Sequence, residues 1–177
     1  TNIVMPTGTY NFPGGIDICA SNKIVYCNGA TFIGQQNPYG ISIDIVSNAT
    51  LLNCNVFDYK IGIYVKFGGD ISVYGSTLKE NELYDLDPTC RFKIVDNTVG
   101  SGDKPIKFFK NTQVNLANEE LSELILCNTD FSIINNVNIM GSPTKKNNGV
   151  FLDNVDNSTF TNIISSENYY GIYDEQG

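Results

Sequence analysis

The stretch Gly149–Tyr173, GVFLDNVDNSTFTNIISSENYYGIY, decides the fold because it holds one complete repeat and the start of the next. Its opening Gly149–Phe151 returns as Gly171–Tyr173. Earlier in the chain, Gly40–Ser42 returns as Gly62–Tyr64 at the same interval. A fixed period of about 22 residues, carrying short apolar runs, is typical of stacked coils rather than of a closed globule.

The apolar runs explain why such coils stack. One coil is too short to bury its own apolar face, so equivalent strands of successive coils are expected to pair in parallel at about 4.8 Å. Alternation in Ile41/Ile43 and Ile63/Val65 points every second side chain into one interior. We predict one β-helix domain over 1–177, with an N-terminal segment 1–39 and regular coils at 40–61, 62–83 and 84–105.

The later part of the chain is less regular. Residues 110–124 are predicted to form an irregular excursion from the stack. Asn118 followed by Glu119 and Glu120 favours a single helical turn over 118–123, since Asn is a good N-cap and acids suit a first turn. The last coil stops at Tyr173 without a capping element, so we expect further coils, another domain or a partner to cover an open C-terminal edge.

Asparagine marks the bends between strands. It is the commonest residue of the chain, it tolerates the left-handed conformation, and it can bond its own backbone. Equivalent carboxamides in successive coils can also bond along a column. The repeat alignment predicts one such column, with Gly75 filling one rung, from Asn53, Asp96, Asn135 and Asn162. On the outer surface, the register places Asp44 beside Lys66 and Asp87 beside Lys107.

Charge and hydropathy exclude several classes of function. A net charge of −8 and a pI near 4.4 disfavour nucleic acid and anionic membrane surfaces, both of which need basic residues. No apolar run approaches the ~18 residues of a membrane span.

The cysteines and two sequons leave alternatives open. Five cysteines without paired metal-ligand spacing argue against a zinc site, and we interpret them as buried thiols. The alternative is a disulfide between Cys27 and Cys54, which fall near the same point of successive coils. The sequons at Asn48 and Asn157 allow glycosylation, but the repeat itself also accounts for both.

The repeats resemble the right-handed parallel β-helix proteins of the pectate-lyase-like superfamily, and in particular the NosD-type, carbohydrate-binding-and-hydrolysis repeats of prokaryotic surface proteins. The resemblance is carried by the Asn-rich runs 46–57, 128–139 and 156–163, the Gly-Ile-Tyr coil starts and the opening Pro6–Tyr10. It implies an all-β, single-stranded, right-handed parallel β-helix, for which we expect roughly six to eight coils. It also implies a place outside the cell, but it does not fix an activity.

Catalytic residues are sparse. The chain has no His, which removes the usual proton carrier near neutral pH. Asn128–Asp130 matches one element of the polygalacturonase pattern, but the partner elements are missing, so we interpret Asn128 as a turn residue. The remaining cluster is Asp85, Asp87, Arg91 and Lys93, with Asp103 and Lys104 as further members.

That cluster has two interpretations. In a lyase, acids would hold Ca²⁺ against uronate carboxylates and Arg91, the only Arg of the chain, would act as the base. In the interpretation we favour, these charges form ordinary surface ion pairs. We predict no catalytic constellation, no resident metal and no cofactor, with Ca²⁺ entering only in the lyase alternative.

Tyrosines suggest binding instead. The side chain of Tyr64 is expected to point outward, because its neighbours Ile63 and Val65 point inward. Tyr59 and Tyr84 lie in or near coil strands. Exposed Tyr among Asn and Asp can hold sugar rings by stacking and hydrogen bonding. We therefore predict a structural or adhesive module of a larger extracellular prokaryotic protein that binds a polysaccharide or surface glycan. The alternative is a lyase or hydrolase acting on acidic polysaccharide along an outer face.

Overall fold

A computed structural model describes residues 2–175 and gives a right-handed parallel β-solenoid of about eight turns. The one helical element among these residues is a 3₁₀ turn at Ser101–Asp103. In chain order the strands are β1 Ile3–Val4, β2 Thr9–Asn11, β3 Ile16–Ile18, β4 Ile24–Tyr26, β5 Thr31–Ile33, β6 Tyr39–Ile43, β7 Val46–Ser47, β8 Thr50–Leu52, β9 Asn55–Phe57, β10 Ile61–Val65, β11 Gly68–Gly69, β12 Ile71–Tyr74, β13 Thr77–Lys79, β14 Tyr84–Leu86, β15 Phe92–Asp96, β16 Ile106–Lys110, β17 Asn115–Leu121, β18 Glu123–Cys127, β19 Ile133–Met140, β20 Val150–Asp153, β21 Thr159–Ser166 and β22 Ile172–Asp174.

Two stacks of strands make up the solenoid. The first stack consists of sheet I (β3-β6-β10-β14), sheet II (β1-β4-β8-β12-β15), sheet III (β2-β5-β9-β13) and the short pair β7-β11. The second stack consists of sheet IV (β16-β18-β20-β22) and sheet V (β17-β19-β21). Every strand pairing is parallel.

The predicted period sets the register. Ile63 lies opposite Ile41, and Ile172 lies opposite Val150, so both pairs keep the spacing of the sequence repeat. Strands β6, β10 and β14 begin within one residue of the predicted coil starts at 40, 62 and 84. Other parts of the second stack depart from this period. The interval from Leu124 to its partner Val150 is longer, and the interval from Leu116 to its partner Ile134 is shorter.

Sheet IV divides the interior into two cores. Its side chains alternate between them: Phe108, Ile125 and Phe151 join the core of the first stack. Their neighbours Leu124 and Leu126 join the core between sheets IV and V. Strand β18 is therefore buried along its whole length. The sequence predicted a single continuous interior, whereas sheet IV covers the end of the first stack and supplies one wall of the second.

The bend residues are partly as predicted, but the prediction that they form one column is wrong, because Asn53 follows β8 in the first stack whereas Asn162 lies on β21 in the second. Asn53, Gly75 and Asn162 adopt the left-handed conformation, with φ of 54°, 58° and 51°. The prediction is wrong by one residue at Asp96 and Asn135, since their neighbours Asn97 and Asn136 occupy the bends at φ 48° and 55°. Gly75 suits its rung because a Cβ there would meet the Asn53 carboxamide.

Asparagine ladders occur in the second stack. The Asn128 amide donates to Asn111 Oδ1 at 3.0 Å, and the Asn154 amide donates to Asn128 Oδ1 at 2.7 Å. Asn136 donates to Asn118 in the same way at 2.7 Å. Each carboxamide thus satisfies its neighbour, which stabilises the left-handed bend at every rung.

The helical turn predicted at 118–123 is wrong. Residues 115–121 form β17, which pairs with β19. Asn118 is a bend residue with φ 59°, and this backbone conformation is incompatible with a helix N-cap.

Four of the five cysteines form disulfides, so their interpretation as buried thiols is wrong. The alternative bond between Cys27 and Cys54 is present, and a second bond joins Cys90 to Cys127. The second was not predicted because Cys90 follows β14 while Cys127 ends β18 in the other stack. Cys19 is exposed and free among the described residues.

Of the two outward charge pairs, one is confirmed. Lys66 Nζ lies 3.5 Å from Asp44 Oδ2. The pairing of Asp87 with Lys107 is wrong, because Lys107 lies on β16 in sheet IV, opposite Leu124 rather than opposite β14.

Candidate functional site

An outward column on sheet I positions the candidate site. Asp17 lies opposite Ser42, and Ser42 lies opposite Tyr64. Asp87 continues this column, since Ile63 lies opposite Leu86 and the Asp87 N–H donates to the Ile63 carbonyl at 2.9 Å. Side chains of one column lie about 4.8 Å apart along the solenoid.

Two tyrosines stack at the centre of this face. The rings of Tyr39 and Tyr64 lie 4.1 Å apart between centroids, at 7° between their planes. Both are half-buried. They belong to successive coils, since Tyr39 begins β6 and Tyr64 lies on β10, and neither ring is fully buried. Burial raises the pKa of Tyr64, and the nearby Tyr39 and Asp87 raise it further, so its hydroxyl stays a hydrogen-bond donor.

Tyr64 borders two surface grooves. The Arg91 groove has a volume of about 480 Å³ and is lined by Tyr64, Asp87, Pro88, Thr89, Cys90, Arg91, Phe151, Asp153 and Glu175. The Lys66 groove has a volume of about 380 Å³ and is lined by Gly14, Asp17, Pro38, Tyr39, Ser42, Asp44, Tyr64 and Lys66. The tyrosine pair thus stands where two polar grooves meet.

A further cleft of about 410 Å³ lies elsewhere, between residues 95–99 and 105–109. Asp96 and Lys107 are its charged lining residues, and no residue of the predicted sites lines it. We therefore place the candidate site at the two grooves.

Arg91 is held by neutral acceptors. Its Nη1 donates to the Val65 carbonyl at 3.3 Å and to Thr89 Oγ1 at 3.1 Å. No carboxylate of residues 2–175 forms an ion pair with it. The guanidinium is therefore positioned in the groove with donors left for a ligand.

Asp87 is the titratable group of the Arg91 groove. Its Oδ2 accepts the Val65 N–H at 3.1 Å. Burial raises the pKa of the Asp87 carboxyl to about 6, although the Val65 N–H and Arg91 oppose this shift. Glu175, across the groove, raises it further.

Asp44 lines the Lys66 groove and has one buried, unsatisfied oxygen. Its Oδ2 contacts Lys66, whereas its Oδ1 is buried without a partner among residues 2–175. A buried oxygen of this kind favours a donor from a ligand or water.

The predicted four-residue cluster is split. Asp87 and Arg91 share a groove, but Asp85 and Lys93 do not line it. Lys93 is exposed on β15 in sheet II, a different sheet. Asp103 pairs with Lys79, and Lys104 pairs with Glu120 at 3.4 Å, so neither joins the site.

Asp85 is structural. It is fully buried at the end of the first stack. Its carboxylate accepts hydrogen bonds from five donors: Asn81 N–H at 3.4 Å, Asn81 Nδ2 at 2.9 Å, Asn147 Nδ2 at 3.0 Å, Ser101 N–H at 2.7 Å and Asn148 Nδ2 at 2.7 Å. Burial raises the pKa of Asp85, and the Asn148 and Ser101 hydrogen bonds lower it. The carboxylate joins the two stacks rather than facing a ligand.

Two of the three predicted ligand-binding tyrosines lie away from the grooves. Tyr59 is fully buried, and its hydroxyl donates to the Phe12 carbonyl at 2.8 Å, so the prediction that it binds a ligand is wrong. It fills the space over Gly34 and Gly40, where a Cβ would clash with its ring. Tyr84 is half-buried and packs edge-on against Tyr169 at 5.9 Å.

Several residues of the face were not predicted. Tyr39 precedes the Gly40 coil start and reaches Tyr64 only because the coils stack. Asp153 and Glu175 come from the second stack, which no local pattern places beside Arg91. Asp153 also lies within 4.8 Å of the Cys90 and Cys127 sulfurs, but the disulfide removes the thiolates that a metal would need.

Comparison of the chain with protein-family models, curated proteins and solved structures finds no match. Within residues 2–175 no helix has the length and hydrophobicity that a bilayer crossing requires.

Asp87 should make folding stability depend on pH. Its pKa is raised from 3.8 to about 6 on folding, so the folded state binds this proton more tightly than the unfolded state. The protonated Asp87 carboxyl contributes its full stabilisation of the folded state below pH 3.8, and this contribution is lost as pH rises to about 6. The free energy of unfolding should fall by about 2–3 kcal/mol over this range. Urea unfolding between these pH values should show the decline in wild-type protein, and Asp87→Asn should make it shallower, while Asp85 and Glu123, whose pKa values burial also raises, keep part of it.

The matched control is Asp17→Asn, which changes an exposed acid of the same column and should keep the wild-type decline. An Asp87→Asn variant with an unchanged slope would contradict the role given to this carboxyl.

Proposed function

We propose that this β-solenoid is a glycan-binding module whose ligand lies along the outer face of sheet I, across the Tyr39–Tyr64 pair. The observation that carries the proposal is the stacked pair at the junction of the Arg91 and Lys66 grooves. Partly exposed tyrosine rings suit a pyranose ring, since aromatic rings bind sugars by apolar contact over their faces.

The polar residues beside the pair suit sugar hydroxyls. Arg91 offers donors that no carboxylate of residues 2–175 engages, and Asp87 and Asp44 line the two grooves as acceptors. A few well-positioned polar groups around an apolar platform are typical of small-ligand sites. Donors and acceptors on both sides of one platform favour a chain of sugars over a single ring.

We further propose that the protein works outside the cell and belongs with the pectate-lyase-like, NosD-type β-helix proteins that its repeats resemble. Two disulfides support an oxidising compartment. The parallel coils and Asn bends support the resemblance at the level of the fold alone.

Tyr64→Ala should weaken glycan binding about tenfold or more, because loss of a stacking platform removes about 1.4 kcal/mol or more of binding free energy. Tyr39→Ala should have a smaller effect in the same direction. A glycan array identifies the ligand, and isothermal titration calorimetry measures the change in affinity. Tyr74→Ala is the control, since Tyr74 lies on sheet II.

Equal affinity of wild-type protein and Tyr64→Ala would overturn the placement of the ligand on this face. Absence of binding to any glycan of the array would overturn the proposed function itself.

A second function, cleavage of acidic polysaccharide, is favoured by one observation. Arg91 has no carboxylate partner among residues 2–175, and Asp87 beside it has a pKa raised to about 6, within the range useful to a general acid or base. In that case Asp87, Asp153 and Glu175 are the carboxylates that line the groove with Arg91, although their oxygens do not all lie within 4.8 Å of one another and would have to move closer to share a Ca²⁺. Formation of unsaturated chain ends from polygalacturonate in the presence of Ca²⁺ would decide for cleavage over binding alone.

A further inference from the structure

Glu123 is a buried carboxyl group that the glycan face does not use. It is the first residue of β18 and is 1% exposed. Its Oε2 accepts the Leu86 N–H at 3.2 Å. No donor among residues 2–175 reaches its Oε1, and no basic side chain there forms an ion pair with it. One oxygen of a buried carboxyl is thus left without a partner.

That carboxyl lines a small aromatic cavity. The cavity has a volume of about 10 Å³ and is lined by Tyr84, Pro88, Glu123, Asn148, Gly149, Val150, Phe151, Tyr170 and Tyr173. This space holds about one water-sized group. The rings form a continuous cluster, with Tyr170 at 5.1 Å from Tyr173 and Phe151 at 5.6 Å from Tyr173. Tyr170 and Tyr173 are 41% and 38% exposed and form the mouth.

The surroundings of Glu123 are acidic and aromatic. Burial raises the pKa of Glu123 well above its ordinary value, and Asp85 and Asp87 raise it further, against the Leu86 N–H. The tyrosine hydroxyls of Tyr84, Tyr170 and Tyr173 are the other titratable groups at this cavity. A cation entering the cavity would find an acid to ionise and aromatic faces to contact.

We propose that this cavity binds a primary ammonium group, seated on the free Glu123 oxygen and surrounded by the rings of Tyr84, Tyr170 and Tyr173. An –NH₃⁺ group is about the size of the water molecule that fits the cavity, whereas a trimethylated ammonium is too large. On binding, the Glu123 proton leaves to solvent, and the new carboxylate pairs with the ammonium. The site is distinct from the Arg91 groove, which it borders at Pro88 and Phe151.

The source of the ammonium group is either an amino sugar or a simple alkylamine, and the probes separate these. Methylammonium chloride tests the group itself, and tetramethylammonium chloride tests its size. Glucosamine and N-acetylglucosamine test whether a sugar amine is accepted and whether its charge is needed. Binding is followed by chemical-shift changes of the tyrosine ring protons in nuclear magnetic resonance titrations.

Wild-type protein should bind methylammonium at least tenfold more tightly than tetramethylammonium. Because binding releases one proton, its affinity for methylammonium should rise with pH, approaching tenfold per unit while free Glu123 is protonated. Glu123→Gln keeps an acceptor for the Leu86 N–H, but it should lose at least tenfold in affinity and all of this pH dependence. Tyr170→Ala, at the mouth, should also weaken binding, whereas Asp174→Asn, an exposed neighbour of Tyr173, should not.

Glucosamine binding without N-acetylglucosamine binding would identify an amino sugar as the source, and methylammonium binding alone would identify a simple alkylamine. Equal binding of tetramethylammonium, undiminished binding by folded Glu123→Gln, or no binding of either amine would overturn the proposal. None of these results depends on Tyr39 or Tyr64, so the glycan face is tested separately.

Discussion

Asp85→Ala is expected to lower the free energy of unfolding by about 3–5 kcal/mol, measured by urea denaturation near neutral pH. Removal of the carboxylate leaves buried donors of Asn81, Ser101 and Asn148 without their acceptor. A buried donor without an acceptor destabilises the folded state by more than its hydrogen bond stabilised it, because no water reaches the donor. The loss falls where the two stacks meet, so both should be destabilised together.

Asp17→Ala is the matched control, since this acid is exposed on the same sheet and should change stability little. Asp85→Asn should also be destabilising, because its amide would point donors at donors. A stable Asp85→Ala variant would show that the network around this carboxylate contributes nothing to joining the stacks.

Tyr59→Ala is expected to cost about 3–5 kcal/mol of unfolding free energy, because it empties a fully buried ring-sized space. The backbones of Gly34 and Gly40 line that space and offer no side chain to fill it. Tyr59→Phe should cost only about 1 kcal/mol, since it removes the single hydrogen bond to the Phe12 carbonyl. The same urea titrations measure both variants.

Tyr64→Ala is the contrasting variant, because Tyr64 is half-buried on the outer face and its removal should affect binding more than stability. If Tyr59→Ala instead left stability unchanged and abolished glycan binding, Tyr59 would belong to the ligand site after all.

The coils were predictable because each repeats the same local chemistry. Gly-Ile starts, alternating apolar residues and Asn bends fix strand, face and corner within a single repeat. Where two polar residues adjoin, as Asp96 with Asn97 and Asn135 with Asn136, the pattern does not tell which one takes the left-handed bend. Asn118 shows the same limit, because an Asn before acids is typical both of a bend and of a helix N-cap.

The candidate site was predictable only in part because its members come from distant coils. Tyr64, Asp87 and Arg91 lie within one turn or two, and the sequence pattern identified them. Asp153 and Glu175 lie beside Arg91 only because sheet IV packs over the end of the first stack. Asp85 was a candidate catalytic acid because it lies in the same cluster of charged residues. Its partners Asn147 and Asn148 lie far along the chain, and they bury it.

Sheet IV also affects how the protein unfolds. Repeat proteins often unravel coil by coil from either end, since each coil contacts only its neighbours. Here strand β18 contributes Ile125 to one interior and Leu124 to the other, so neither can be exposed to water alone. Amide hydrogen exchange would therefore find one foldon spanning both sides of this sheet, with independent fraying confined to the outermost coils.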